Sequence, residues 1–126
     1  MGYTVSWSQR PFTKYTYRNI IKLIPKVIDS KLRTYDWGFS VGPSDDECIA
    51  IQKDPTNMTF VKTNRYPYTK DVMKTLILMV EFGAAEDLCH DDNDMTLYLN
   101  ALDEVHSKYP LVSYDAQKEY FNFNNL

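Results

Sequence analysis

Long hydrophobic runs are missing from this sequence: no apolar stretch approaches the roughly 18 residues needed to span a bilayer, so no transmembrane segment is expected. No h-region of a signal peptide precedes residue 13, which points to an unsecreted protein. Cysteine is scarce. Cys48 and Cys89 form no C-x-x-C or similar pattern, so two reduced thiols in a cytoplasmic or nuclear compartment are expected. Catalytic signatures are absent too: the chain holds no G-x-S-x-G, H-E-x-x-H or dinucleotide fingerprint. Cys89 with His106, or Cys48 with His90, is a chemically conceivable nucleophilic pair, but nothing local supports either. The same four residues lack standard zinc spacing, and an EF-hand begun at Asp92 would place Leu97 where glycine is required. The reading therefore leans away from an enzyme, with neither a cofactor nor a metal expected; a small enzyme of unknown class stands third among the functional readings.

What is present describes a globular domain. At 126 residues the chain suits a single domain that buries a core without disulfide or metal staples. Hydrophobic content of 44% and charged content of 25% are ordinary. Ten Tyr, six Phe and two Trp suggest an aromatic-rich core or contact surface. The net charge of −3 gives no global argument for a polyanionic partner, but its distribution is lopsided. Residues 1–74 carry twelve Lys/Arg and seven Asp/Glu, a balance of +5, whereas residues 75–126 carry two and ten, a balance of −8.

Tyr3, Val5 and Trp7 alternate with polar residues, the period of a half-buried strand. A helix follows, capped by Thr13 or Thr16, with Tyr17, Ile20, Ile21, Ile24, Ile28 and Leu32 on one face. Pro25 inside it predicts a kink, or two short helices meeting at Ile24. Trp37, Phe39 and Val41 open a second β region, Cys48 to Lys53 alternates with Ile49 and Ile51 inward, and Met58 to Thr63 reads as a further strand. Short turns join these three, so they are expected to form an antiparallel meander. The most apolar segment, Val72 to Phe82, then reads as a nearly buried helix, with Thr69 as N-cap, Asp71 in the first turn and Gly83 just past the end. Glu86 to Asp94 reads as an acidic loop. Asp94 or Thr96 caps a helix bearing Tyr98, Leu102, Val105 and Tyr109 up to Pro110, and Tyr114 to Phe121 forms a last short helix. The class is α+β, in the order β-α-β-β-β-α-α-α, with helices packed on one face of an antiparallel sheet made of the meander and the N-terminal strand.

Three constellations are candidates for function. In Lys62-Thr63-Asn64-Arg65-Tyr66-Pro67-Tyr68-Thr69-Lys70 a strand end, a turn and a helix N-terminus meet. Lys62, Arg65 and Lys70 supply charge to an anion or a partner, and Tyr66 and Tyr68 stack or donate. The segment has no glycine, so a P-loop cradle is excluded, and its bland reading is a tyrosine lid over the core. The second is the basic helix face Lys14, Arg18, Lys22 and Lys26, whose four-residue spacing forms a stripe that either tracks phosphates or is simply solvated. The third is the acidic surface of Asp87, Asp91, Asp92 and Asp94, whose bland reading is a solvated loop that caps the following helix.

The progression Phe60, Lys62, Thr63, Arg65, Pro67, Tyr68, followed by an apolar helix, resembles an F-x-K-T-x-R-x-P-Y pattern in small proteins of microbial and large-DNA-virus genomes. The resemblance covers about a fifth of the chain and implies no activity. It implies a viral or microbial accessory protein, which the Asn-, Asp-, Lys- and Tyr-rich usage suits. The functional expectation is a non-enzymatic interaction or structural protein with charge-asymmetric surfaces, self-associating or docking on a protein partner. The alternative is a module that binds nucleic acid or a phosphate ligand.

Overall fold

A computed structural model of the chain describes residues 4–54, 59–63, 67–90 and 95–112. The class is α+β. Its elements are β1 (Thr4–Gln9), α1 (Lys14–Val27), β2 (Lys31–Tyr35), β3 (Gly38–Gly42), β4 (Ile49–Gln52), β5 (Thr59–Lys62), α2 (Thr69–Glu81), β6 (Ala85–His90) and α3 (Thr96–Lys108). The expected elements follow one another in the expected order, and two further strands, β2 and β6, are inserted among them. The expected helix from Tyr114 lies outside the described residues, as does the segment 55–58.

Two three-stranded antiparallel sheets replace the single sheet, in the orders β5-β1-β6 and β2-β3-β4. The meander exists with a different membership. It opens with β2, and β5 leaves it to pair with β1, Val5 opposite Val61 and Trp7 opposite Thr59. In β1 the period-two pattern does what it predicts: Val5 and Trp7 are buried and their neighbours half-covered. Ile49 and Ile51 likewise face inward from β4. Strand β3 is buried along its whole length, and a Cβ on Gly38 would collide with the Ile51 carbonyl oxygen across the β3–β4 pair.

Helix α2 is the core element. Every residue from Thr69 to Val80 except Lys70 is buried, and the helix touches α1, α3, β3 and β6. Its N-cap is Tyr68, with no side-chain cap bond, so Thr69 is the first helical residue rather than the cap. Its end is built locally. Ala84 N–H donates to Met79 O at 2.7 Å and Gly83 N–H to Val80 O at 3.0 Å, with Gly83 at φ +76°, the Schellman pairing that glycine makes cheap. On α3, Tyr98, Ala101, Leu102 and Val105 are buried; its N-cap is Met95, without a side-chain bond, and Asp94 lies outside the described residues.

Helix α1 starts where Thr13 predicts, with the Thr13 hydroxyl accepting from Thr16 N–H at 3.0 Å. It runs as one helix through Pro25 and stops at Val27, so Leu32 belongs to a strand instead. The stop is imposed from α2. Lys74 Nζ donates to the Val27 carbonyl at 2.7 Å, and the Asp71 carboxylate accepts from Asp29 N–H and Ser30 N–H, the latter at 2.7 Å. The expected acidic loop is strand as far as His90. A bulge between the Ser6–Cys89 and Ser8–Glu86 pairs leaves Asp87 at φ +55° and spaces the buried residues Ala85, Leu88 and His90 unevenly.

Candidate functional site

Cations of the basic first half have two fates. Some are consumed inside the molecule. Arg10 forks onto both Glu86 oxygens, at 3.0 and 3.1 Å. Lys70 pairs with Glu104 at 2.7 Å, and Lys74, 2% exposed at its side chain, lies 3.5 Å from the same carboxylate. Lys74 is also 4.0 Å from both Asp29 and Asp71. The hydrogen bond from Lys70 holds the Glu104 carboxyl below its ordinary value, and the same bond holds the Lys70 ammonium above its own. The halves of opposite charge therefore partly neutralise each other, through β1–β6 and α2–α3.

The others stay outside. Lys14, Arg18, Lys22 and Lys26 are all exposed along α1, and none has an ion pair among the described residues. They flank a face on which Ile20, Ile24 and Val27 are buried. Lys14, Tyr17, Arg18 and Ile21 line a shallow hollow of about 360 Å³. Tyr17 packs against Phe12 and Phe39, at centroid distances of 5.4 and 6.0 Å, and carries Lys53 Nζ 4.8 Å above its ring. Lys53 extends this surface to the β2–β3 hairpin, because its N–H donates to the Trp37 carbonyl at 2.9 Å. There Tyr35 and Trp37 stack at 4.9 Å with planes 6° apart, and Trp37 is 47% exposed. Trp37 thus sits in a two-residue turn and not in the strand expected from its alternation with Phe39 and Val41. Asp36, Trp37, Gln52, Lys53 and Asp54 form a second hollow beside the first.

The strand-to-helix segment is less concentrated than its sequence suggests. Lys62 is exposed on β5, Tyr68 is buried against the core, and Lys70 is engaged by Glu104. Arg65 and Tyr66 lie outside the described residues. Of the acidic set, Asp87 is exposed on β6, and Asp91, Asp92 and Asp94 lie outside the described residues. Both cysteines are free, and burial together with Asp45 raises the Cys48 thiol above its ordinary value. Among the described residues no group of three His, Cys, Asp or Glu side chains is placed to hold a metal ion, and no helix is long and apolar enough to cross a membrane.

Sequence reasoning found the α1 stripe but missed Lys53 and the Tyr35–Trp37 stack that continue it. The available signal was Tyr-Asp-Trp-Gly, a two-residue hairpin turn that forces its tryptophan outward. No family model matches the chain, and neither the curated proteins nor the solved structures contain a match.

Proposed function

We propose that the protein is a non-enzymatic interaction module that docks on an acidic protein surface through α1 and the β2–β3 hairpin. One observation carries this reading: four exposed cations with no ion pair among the described residues run into an exposed tyrosine–tryptophan stack, while Arg10, Lys70 and Lys74 are paired with carboxylates of the chain itself. Such a face combines the two ingredients of a protein-binding patch. Tryptophan and tyrosine anchor, and peripheral charge steers encounter and selects the partner. A viral or microbial accessory role suits the residue usage, and a reducing intracellular compartment suits the two free thiols.

Nucleic acid is the second reading, favoured by the stack itself, since exposed aromatic faces accept bases. Along α1 itself only Tyr15 and the half-buried Tyr17 stand among the cations, too few stacking platforms to follow a strand, which ranks this reading second. Fluorescence separates the two, because Trp7 is 1% exposed and quenching by acrylamide reports on Trp37. At low salt a polyglutamate peptide, standing for the acidic surface, is expected to protect Trp37, and Arg18→Glu with Lys22→Glu to abolish the protection. Tighter protection by an oligothymidylate would reverse the ranking. Protection by neither, or protection that survives the charge reversals, sinks the proposal.

A further inference from the structure

The rest of the chain treats the two edges of the β2-β3-β4 sheet differently. At β4 the edge is closed by the segment after β1: the Gln9 side chain donates to the Gln52 carbonyl at 2.6 Å, and Phe12 N–H to the Lys53 carbonyl at 3.3 Å. At β2 it is open. Tyr35 lies opposite Gly38 across a two-residue turn, which makes them a hydrogen-bonded pair, and such pairs alternate along an antiparallel ladder. Lys31, Arg33 and Tyr35 therefore bond to β3, while the N–H and C=O groups of Leu32 and Thr34 point away from it. The bond from Lys53 N–H to the Trp37 carbonyl, on the other side of β3, has the same phase. Among the described residues nothing bonds to these four outward groups, and Thr34 is exposed. The strand has no proline and no bulge, so what guards its edge is the charge of Lys31 and Arg33.

That charge selects the occupant. Residues 14–35 hold six Lys/Arg and one Asp, so a second copy pairing through β2 would set two basic strands side by side. An acidic strand is drawn to the same edge. Lys31 has no ion pair among the described residues, and Arg33, which holds the carbonyls of Gly42 and Pro43, meets the exposed Asp45 only at 3.9 Å. The two faces of β2 differ as well: Leu32 lies opposite the buried Val41 and Thr34 opposite the buried Phe39, which leaves Lys31, Arg33 and Tyr35 on the outer face. We infer that the acidic partner supplies an extended strand that pairs with the free edge of β2, its carboxylates beside Lys31 and Arg33 and its apolar residues beside Leu32. The inference rests on the docking reading of α1 and the hairpin, and it names the kind of segment that docks. Main-chain bonds hold the strand, and the cations of α1, which leads directly into β2, steer it.

The test is amide hydrogen exchange of the full chain at low salt with the capped peptide Glu-Val-Glu-Val-Glu-Val-Glu, read beside acrylamide quenching of Trp37. At saturation, exchange at Leu32 and Thr34 is expected to slow by about tenfold or more, while Arg33 and Tyr35, already bonded to β3, stay unchanged. Probe residues opposite Leu32 and Thr34 are the valines, and their N–H groups aim at β2. N-methylation of the valines is therefore expected to weaken binding by about tenfold or more, and N-methylation of the glutamates to leave it unchanged. Thr34→Pro removes one outward N–H at an edge position, where proline is tolerated, and is expected to lose the probe while the core amides keep their protection; Thr34→Val keeps both. Protection of Trp37 with no change at Leu32 and Thr34, or equal binding of the two N-methylated probes, would overturn the strand pairing and leave the docking reading standing. Slow exchange at the same amides in the protein alone, deepening with its concentration, would identify a second copy as the occupant and overturn the acidic strand. Protection at neither Trp37 nor these amides would overturn both readings.

Discussion

The lysines of α1 and those of α2 are chemically identical and physically opposite. Lys14, Lys22 and Lys26 stand in solvent with no ionic partner among the described residues, whereas Lys74 is sealed beneath three helices' worth of contacts with Asp71, Glu104, Asp29 and the Val27 carbonyl. The difference lies in the faces they occupy. Helix α1 buries one stripe and leaves a flank free, while α2 is enclosed by α1, α3 and both sheets, so even its charged residues must find partners inside. A cation on α1 is available for an encounter, and a cation on α2 is part of the scaffold.

Truncation breaks the comparison most sharply. Lys74→Ala leaves Asp71 buried without its counter-charge and the Val27 carbonyl without its donor, an expected loss of about 3–5 kcal/mol. Lys22→Ala, on the open flank, is expected to change stability by less than about 0.5 kcal/mol. Urea denaturation of both variants measures the contrast. Equal effects would mean that Lys74 is solvated in solution and that the buried network is not what ends α1. Because Lys74 and Asp71 share the turn after α1, the double variant Lys74→Met/Asp71→Asn should lose less than the sum of its parts.

The two helix ends offer a smaller contrast, and they also show where the sequence was readable. The α2 C-terminus is written locally: Gly83 stands one residue beyond the cap and takes φ +76°, as its position predicts. The α1 C-terminus is not. Ile24, Ile28 and Leu32 continue a helical period across it, and the groups that end the helix, Asp71 and Lys74, come from more than forty residues away. That is why Leu32 was assigned to the helix face, β2 was missed and the meander was shifted by one strand. β6 was hidden in another way, by a bulge at Asp87 that breaks the two-residue alternation in an acidic stretch. The candidate surface divides along the same line. The α1 stripe is a matter of spacing within one helix and was legible, whereas Lys53 and the Tyr35–Trp37 stack join it only through the pairing of β3 with β4 and the backbone bonds of Lys53. Gly83→Ala, which forces a Cβ into the left-handed region with nothing within 4 Å to relieve or oppose it, is expected to cost about 1 kcal/mol, read from the urea midpoint. Wild-type stability in this variant would show that the Schellman pairing frays in solution.

Protonation gives the finest comparison, because Lys70 and Glu104 sit between the two extremes, with side chains 35% and 43% exposed. Glu104 is held below its ordinary value by the Lys70 hydrogen bond, so its contribution is present above the unfolded carboxylate value and is lost as pH falls through the folded one. Lys70 is held above its ordinary value by the same bond, so its contribution is present below the unfolded lysine value and is lost as pH rises through the folded one. The pair therefore adds to stability on a plateau between the carboxylate and lysine ranges, and solvent screening keeps the amount small. Thermal midpoints measured across both limbs should fall less steeply at the acid end in Glu104→Gln than in the wild type, whereas Lys22→Gln should leave the whole profile unchanged. If Glu104→Gln also left the acid limb unchanged, the Lys70–Glu104 bond would be as open to water as the α1 flank. The line between scaffold cations and docking cations would then run inside α2, between Lys70 and Lys74, instead of between the two helices.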